Sequence, residues 1–219
     1  MSRRRAAIYG GTFDPVHNGH MTVARSVSQL FALDQLIFVP ACTPPHKRDT
    51  GISPAFHRFA MLALATEDDT GFGISTIELD APERPYAVDT VARIQDQLGS
   101  DTRLFFILGA DSWAEITTWF EWERLLCMCD QIVVTRPGYE LVEANGAAVS
   151  DVRGMSEGDV SVLIEGHTER QAFFTDAAIL DISATAIRAA ARAGDSEKLR
   201  EAVPETVANY IEKYELYRN

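Results

Sequence analysis

Short runs of β-branched and aromatic residues alternate with longer amphipathic stretches along most of the chain. The runs are too short for helices and are bounded by glycine, proline or aspartate, so they predict strands. They lie at residues 6–9, 36–39, 73–79, 103–108, 131–135, 160–164 and 178–182. Between them, apolar residues spaced three and four apart predict helices at residues 21–31, 54–65, 88–98 and 113–127. This alternation predicts an α/β fold, a doubly wound and mostly parallel sheet with helices on both faces.

The length of the chain, 219 residues, fits one domain of this kind. We predict a core over about 6–188 and a C-terminal helical part over about 184–219, with helices at 184–193 and 204–217. Residues 137–158 are rich in Gly, Ser, Glu and Asp without a strong period, which predicts a connection. Ligands of such sheets bind beyond the carboxyl ends of the strands, so the loops that follow strands are the candidate sites.

The formal net charge of −12 makes several classes of partner unfavourable. A field of this sign repels polyanions, so no broad nucleic-acid interface is expected, although a local basic pocket for a small anion is compatible with it. No apolar run reaches the roughly 18 to 20 residues of a membrane span, and the N-terminus lacks the apolar core of a signal peptide. Cys42, Cys127 and Cys129 form no disulfide framework or metal-ligand pattern. We therefore predict a cytoplasmic protein with reduced thiols, no metal site, and no nucleic-acid or membrane partner.

The densest chemical signal is the run GGTFDPVHNGH from Gly10 to His20, between the first predicted strand and the first predicted helix. Glycines let the backbone turn and approach a ligand closely, and a helix N-terminus presents unpaired N–H groups to phosphate. His17 and His20 are three residues apart, so on a first helical turn they share a face and can both donate to phosphoryl oxygens. The whole run predicts an anion cradle, whereas an isolated His-x-x-His pair is more often structural.

A second run, ISATAIR at residues 182–188, also stands between a predicted strand and a predicted helix. Ser183 is a natural helix N-cap. Thr185 and Arg188 lie three residues apart, which allows a hydroxyl and a guanidinium to face one site. Taken alone, this run is equally compatible with an ordinary capped helix.

Together the two runs resemble the nucleotidylyltransferase superfamily, whose HxGH motif corresponds to residues 17–20. Residues 182–188 resemble its ISSTxxR element, with Ala184 in place of the second serine. The resemblance implies a Rossmann-like fold and catalytic roles for His17, His20 and Arg188. It also implies an ATP site formed by Gly10, Gly11, Thr12, Phe13, His17, Gly19, His20, Gly109, Asp111, Ile182, Ser183, Thr185 and Arg188.

Three middle segments narrow the resemblance. PPHK at residues 44–47 forms a proline-stiffened loop whose Lys47 could neutralise a phosphate, or could simply be an exposed loop lysine. RPYAVDT at residues 84–90 opens a predicted helix, where Asp89 suits the helix dipole. Residues 109–111, GAD, lead to Trp119, an aromatic plane that could stack on a ring or belong to the core.

In this order the segments resemble the bacterial nicotinate-mononucleotide adenylyltransferases, over about 8–136 and again over 182–188. The resemblance implies that Trp119 stacks on the pyridine ring and that Arg136 lies near the phosphates. Ala87 stands where the family usually has threonine, so backbone N–H groups could supply that contact to the nicotinate carboxylate. The implied substrate-binding residues are Asp14, Lys47, Tyr86, Ala87, Thr90, Trp119, Phe120 and Arg136.

The implied reaction is attack of a mononucleotide 5′-phosphate on the α-phosphorus of ATP. Because this phosphate is ionised at neutral pH, catalysis consists of aligning two anions and stabilising charge, with Mg²⁺ bound through the ATP phosphates. The expected partners are ATP and nicotinate mononucleotide, and a homo-oligomer is compatible with the sequence. The alternatives are transfer to nicotinamide mononucleotide or phosphopantetheine and, from another class, a non-catalytic nucleotide-binding regulator.

Overall fold

The computed structural model describes residues 3–42, 52–81, 85–135, 148–176 and 182–218. Its strands are β1 (Arg4–Gly11), β2 (Gln35–Pro40), β3 (Phe72–Ile74), β4 (Thr102–Gly109), β5 (Asp130–Val134), β6 (Ala148–Asp151) and β7 (Gln171–Thr175). Its helices are α1 (Asn18–Leu30), α2 (Ala55–Ala65), α3 (Ala87–Leu98), α4 (Ala110–Ala114), α5 (Trp122–Met128), α6 (Glu157–Gly166), α7 (Ala184–Ala193), α8 (Ser196–Ala202) and α9 (Glu205–Lys213), with a 3₁₀ helix at Ile116–Thr118. The strands form one parallel sheet in the order β3-β2-β1-β4-β5-β7-β6. The predicted doubly wound α/β fold is therefore confirmed.

Contacts along the backbone divide the chain into two compact units. The first holds Met1–Gly10, Val23–Ile37 and Pro85–Ile179, and the second holds Gly11–Thr22, Phe38–Arg84 and Leu180–Asn219. β1 and β2 each begin in the first unit and end in the second. The first motif is the run from Gly10 to His20, and the second motif is the run at residues 182–188. All of the first motif except Gly10, and all of the second motif, therefore belong to the same unit.

Apolar side chains of β1 and β4 are almost completely buried. Residues 104–108 of β4 and residues 6–8 of β1 are each less than a tenth exposed. Phe31, just after α1, lies edge-on to Phe105 and Phe173, with ring centroids 5.8 and 5.7 Å away. Continuous burial of this kind is typical of parallel strands covered on both faces, which explains why these strands read as uninterrupted apolar runs.

Asp130, the first residue of β5, is a fully buried carboxylate. Arg103 of β4 binds it through two nitrogens, at 2.8 Å from Nε to Oδ2 and 3.2 Å from Nη2 to Oδ1. Arg170 Nη1 donates to Oδ2 at 3.3 Å, and the main-chain N–H of Gln171 donates to Oδ1 at 2.9 Å. Because a buried ion is stable only when it is paired and hydrogen-bonded, these four bonds tie β4, β5 and β7 together at their amino ends.

Helices α2, α7, α8 and α9 form much of the second unit. Thr206 Oγ1 donates to the Leu64 main-chain oxygen at 3.1 Å, and His57 Nδ1 lies 2.9 Å from the Tyr210 hydroxyl. These two bonds join α2 to α9. In the described ranges, no helix combines the length and the apolar character needed to cross a bilayer.

The prediction of a strand at residues 160–164 is wrong, because these residues lie in α6. Ser156 caps the first turn of that helix with its side chain. Val160 and Ile164, four residues apart, are buried, whereas Val162 between them is 73% exposed. The run VSVLI at residues 160–164 fits either period, and the capping Ser156 upstream of it favours a helix.

Two strands were not predicted. β6 lies within residues 137–158, which the composition assigns to a connection, and β7 follows α6 directly and is buried throughout. Both strands are short, which leaves their periodicity weak. Of the strand predicted at 178–182, residues 178–181 lie outside the described part of the chain, and Ile182 is not in a strand.

Several predicted elements are shorter or broken. The helix predicted at 113–127 is instead α4, the 3₁₀ helix and α5, and Glu121 before α5 adopts a left-handed φ of 49° that interrupts the helical path. The strand predicted at 73–79 is limited to β3. The last helix ends at Lys213 rather than continuing to 217, and α8, which the Asp195 side chain caps, was not predicted.

Candidate active site

The first motif forms a loop between β1 and α1. Phe13 at its centre is buried and has a φ of 50°, a left-handed conformation that non-glycine residues seldom adopt. Its ring lies edge-on to His20 and Phe38, with centroids 5.0 and 5.6 Å away. A Cβ on Gly11 would stand 2.9 Å from Cζ of Phe13, so this close approach requires glycine.

Arg58 of α2 binds the main chain of this loop. Its side chain has no exposed surface, its Nη1 donates to the Thr12 main-chain oxygen at 2.8 Å, and its Nε donates to the Ser53 main-chain oxygen at 3.1 Å. Burial lowers the pKa of Arg58, and the nearby Asp14 carboxylate opposes that shift. Arg58 therefore holds two backbone segments together while Asp14 balances its charge.

His17 and His20 cap the first turn of α1 with each other. The His20 main-chain N–H donates to His17 Nδ1 at 3.4 Å, and the His17 main-chain N–H donates to His20 Nδ1 at 3.3 Å. This is the reciprocal geometry of a capping box, with imidazoles in place of the usual hydroxyl and carboxylate. The rings stack with centroids 3.7 Å apart. Because each Nδ1 accepts a hydrogen bond, each neutral ring carries its proton on Nε2 and can donate from there.

Both imidazoles are neutral at physiological pH. Burial lowers the pKa of His17 to about 4. Burial also lowers the pKa of His20 to about 3, and the neighbouring His17 lowers it further. The pair therefore presents N–H donors to an anion without carrying two positive charges.

The lowered histidine pKa values predict an acid-sensitive fold. Between pH 6.5 and about 4, an unfolded histidine binds a proton that folded His17 does not. The free energy of unfolding should therefore decrease as the pH is lowered, by up to about 1.4 kcal/mol per pH unit. Above pH 6.5 this contribution is fully present. Urea unfolding at pH 7, 6 and 5 should give a flatter pH dependence for His17→Asn, which keeps a capping side chain but does not titrate. If the free energy of unfolding depended on pH equally in the wild type and in the variant, the burial of His17 would be contradicted.

Asp14 and Arg188 join the first motif to the second. Arg188 Nη1 donates to the Asp14 main-chain oxygen at 2.7 Å, and Nη2 donates to Thr185 Oγ1 at 3.2 Å. The Asp14 carboxylate is 4% exposed and accepts the Ser53 main-chain N–H at 3.0 Å and the Tyr217 hydroxyl at 2.7 Å. The guanidinium and hydroxyl of the second motif thus lie beside the loop that carries the histidines.

Ser183 and Ile182 of the second motif also lie at or near the start of α7. Ser183 occupies the N-cap position of α7, as expected, but its side chain makes no capping hydrogen bond, so the hydroxyl is not used by the helix. A Cβ on Gly19 would stand 3.8 Å from Ile182 Cβ and 3.1 Å from Nδ1 of His17. Any side chain at position 19 would therefore press on the His17 ring, which explains the glycine between the two histidines.

Two aromatic pairs of the first unit involve the predicted residues Trp119, Tyr86 and Phe120. Trp119 lies edge-on to Phe106, with centroids 6.3 Å apart, and Tyr86 stacks on Phe120 at 4.3 Å. Tyr86 and Phe120 are each about half exposed. The Tyr86 main-chain N–H donates to Asp89 Oδ2 at 3.3 Å, which places this carboxylate at the helix start as expected. The half-exposed rings of Tyr86 and Phe120 present flat surface on which another ring can stack.

The remaining predicted residues of the first unit lie at strand and helix ends. Gly10 stands near the end of β1, and Gly109 ends β4 and caps α4. Asp111, in the first turn of α4, is exposed. Ala87 is the first residue of α3, whereas Thr90 one turn later is only 2% exposed.

Lys47 and Arg136 lie outside the described residues. Sequence reasoning missed Arg58, Ser53 and Tyr217, because none of them belongs to a motif. A signal existed for Arg58 alone, since it shares the buried face of α2 with Met61, Leu62 and Ala65. A charged residue on an otherwise apolar helical face marks a position that needs a partner.

In this parallel α/β sheet, a glycine loop leads into a helix N-terminus, carries two paired imidazoles and binds an arginine through its main chain. This is the arrangement of a nucleotide-binding α/β protein. Its relatives specify the class. The model of the cytidylyltransferase-like family matches residues 8–190. The chain belongs to this family, as the HxGH resemblance predicts.

The chain is similar to known proteins over almost its whole length. It is 38% identical over 216 residues to a probable nicotinate-nucleotide adenylyltransferase of Thermoanaerobacter sp., covering 98% of this chain and 94% of the relative. It is 35% identical over 214 residues to a probable nicotinate-nucleotide adenylyltransferase of Geobacter sulfurreducens, covering 97% and 98%. The structure of Plasmodium falciparum nicotinic acid mononucleotide adenylyltransferase complexed with NaAD matches with a TM-score of 0.70 at 19% identity, over 98% of each chain. This structural likeness establishes a shared fold.

Proposed function

We propose that the chain transfers the adenylyl group of ATP to nicotinate mononucleotide, forming nicotinate adenine dinucleotide and pyrophosphate. The observation that carries the proposal is the mutual capping of His17 and His20, which leaves the proton of each neutral ring on Nε2 at a helix N-terminus. The chain is also 35% and 38% identical to the two relatives above. The proposed enzyme comprises one nucleotidylyltransferase domain over residues 1–219. A cytoplasmic location and a homo-oligomer belong to the same proposal.

The chemistry requires no protein nucleophile. An oxygen of the mononucleotide 5′-phosphate forms a bond to the α-phosphorus of ATP, and the bond from that phosphorus to the bridging oxygen breaks, so pyrophosphate leaves with the electron pair. The attacking phosphate is already ionised at neutral pH and needs no general base. The chain must therefore align the two anions and stabilise the charge that develops between them.

His17, His20 and Arg188 are proposed for this task. A neutral N–H donor is bound more strongly as charge grows on the oxygen that accepts it, which favours the transition state over the ground state. Arg188 contributes a permanent charge, and its bond to the Asp14 main-chain oxygen holds the guanidinium near the loop. Mg²⁺ is proposed to enter with ATP as part of the substrate, bound by phosphate oxygens and water.

Other predicted residues divide between the two substrates. Gly10, Gly11, Thr12, Phe13, Gly19, Gly109, Asp111, Ile182, Ser183 and Thr185 are proposed for ATP. Asp14, Lys47, Tyr86, Ala87, Thr90, Trp119, Phe120 and Arg136 are proposed for the mononucleotide. The exposed rings of Tyr86 and Phe120 support this division, because a pyridine ring can stack on them or on Trp119.

Pyrophosphate release with MgATP and different acceptors tests the proposal. With acceptors at equal concentration, kcat/KM should be highest for nicotinate mononucleotide, at least about tenfold lower for nicotinamide mononucleotide, and undetectable for phosphopantetheine. Reactions without acceptor correct for ATP hydrolysis, and the dinucleotide should appear in equal amount with pyrophosphate.

The alternatives predict different results from the same assay. If pyrophosphate were released only with phosphopantetheine or nicotinamide mononucleotide, the proposed adenylyl transfer would stand and the proposed acceptor would be wrong. Binding of ATP with no release for any acceptor would instead support a nucleotide-binding regulator.

A further inference from the structure

The C-terminal segment reaches the loop of the first motif through Tyr217. Its hydroxyl donates to Asp14 Oδ1 at 2.7 Å across 203 positions of sequence. Tyr217 follows the end of α9 and has a φ of 70°, in the left-handed region that tyrosine rarely adopts. Such an outlier persists only where surrounding interactions hold it, so the observed contact is a candidate for function.

The Asp14 carboxylate accepts two hydrogen bonds in this arrangement. Tyr217 occupies Oδ1 and the Ser53 main-chain N–H occupies Oδ2, and the carboxylate is 4% exposed. Burial raises the pKa of Tyr217, and the Asp14 charge raises it further, so the hydroxyl keeps its proton and stays a donor. A hydrogen bond to a buried carboxylate is among the stronger kinds in proteins.

Asp14 in turn contacts groups that the reaction uses. Its main-chain oxygen accepts the Arg188 bond, and it stands three residues before His17 in the same loop. A rotation of the Asp14 peptide would displace the Arg188 guanidinium and disturb the His17–His20 capping pair. Errors of about one ångström in such groups cost large factors in rate.

We propose that Tyr217 is a positioning residue of the adenylyl transfer, which fixes Asp14 and, through Asp14, the donors Arg188 and His17. This inference rests on the proposed function for its catalytic consequence.

Tyr217→Phe tests the inference because it keeps the ring and removes only the hydroxyl. We expect kcat for pyrophosphate release to fall about tenfold, with KM for ATP and for the mononucleotide changing less than about twofold. A second readout does not depend on the reaction. In NMR titrations of the ring carbons, the pKa values of His17 and His20 should rise from about 4 and about 3 toward 6.5 as water reaches the loosened loop.

Tyr214→Phe is the matched control, since Tyr214 is a half-exposed tyrosine in the same C-terminal stretch. It should leave kcat and both histidine titrations at wild-type values. Wild-type kcat and titrations in Tyr217→Phe, with only a lower melting temperature, would overturn the inference and leave a structural anchor. A wild-type enzyme inactive with every acceptor would refute the proposed function, while the histidine titrations would still decide whether Tyr217 orders the loop.

Discussion

Replacing His17 or His20 with alanine should lower kcat for adenylyl transfer by a factor of about 10² to 10³. Each substitution removes one N–H donor that we propose binds a phosphoryl oxygen, and loss of a single oxyanion donor costs about 3 to 4 kcal/mol of transition-state stabilisation. KM for ATP should change far less, because the donors act mainly on charge that develops during the reaction. Steady-state pyrophosphate release at saturating MgATP measures both parameters.

The capping arrangement requires a further variant to separate catalysis from folding. Asparagine at position 17 can still accept the main-chain N–H of His20, as the His17 ring does, but offers no donor at the Nε2 position. His17→Asn should therefore have nearly wild-type stability at pH 7 and the same loss of kcat as His17→Ala. Substantial activity in His17→Asn would mean that the imidazole serves only to cap α1.

The sequence predicts a helix or strand correctly where the spacing of apolar residues fits only one of the two. β1, β2, β4 and β5 each contain an uninterrupted apolar run, because both faces of a parallel sheet are covered. Residues 160–164 form a short run that fits two periods, and the side chain that selects the helix, Ser156, lies outside the run. The 113–127 stretch has a helical pattern, yet Glu121 breaks it through its backbone conformation, which composition does not reveal.

The site divides in the same way. His17, Gly19 and His20 are predictable, because their spacing places them on one helical turn and leaves room for two rings. That the rings accept each other's main-chain N–H groups is not predictable, since it depends on side-chain rotamers and on the loop packed around Phe13. The Tyr217 contact with Asp14 is a tertiary contact across 203 positions, and no local period reports it.

Removing the Asp130 carboxylate should cause a large loss of stability. Asp130→Ala leaves Arg103, whose side chain is 12% exposed, without its bidentate partner and deprives the Gln171 N–H of its acceptor. Breaking a buried ion pair from one side typically costs about 3 to 5 kcal/mol, because the remaining charge stays buried and unpaired. Urea unfolding should therefore give a much lower midpoint with an unchanged slope.

The exposed pair of Asp151 and Arg153 offers the matched control for Asp130. Both side chains are partly solvated, at 39% and 29% exposure, so Asp151→Ala should leave the unfolding midpoint almost unchanged. If the cost at Asp130 comes from the stranded guanidinium, then adding Arg103→Met to Asp130→Ala should restore part of the lost stability. A double variant no more stable than Asp130→Ala would instead indicate that the carboxylate acts chiefly through Gln171 and Arg170, by closing the amino end of β7 against β5.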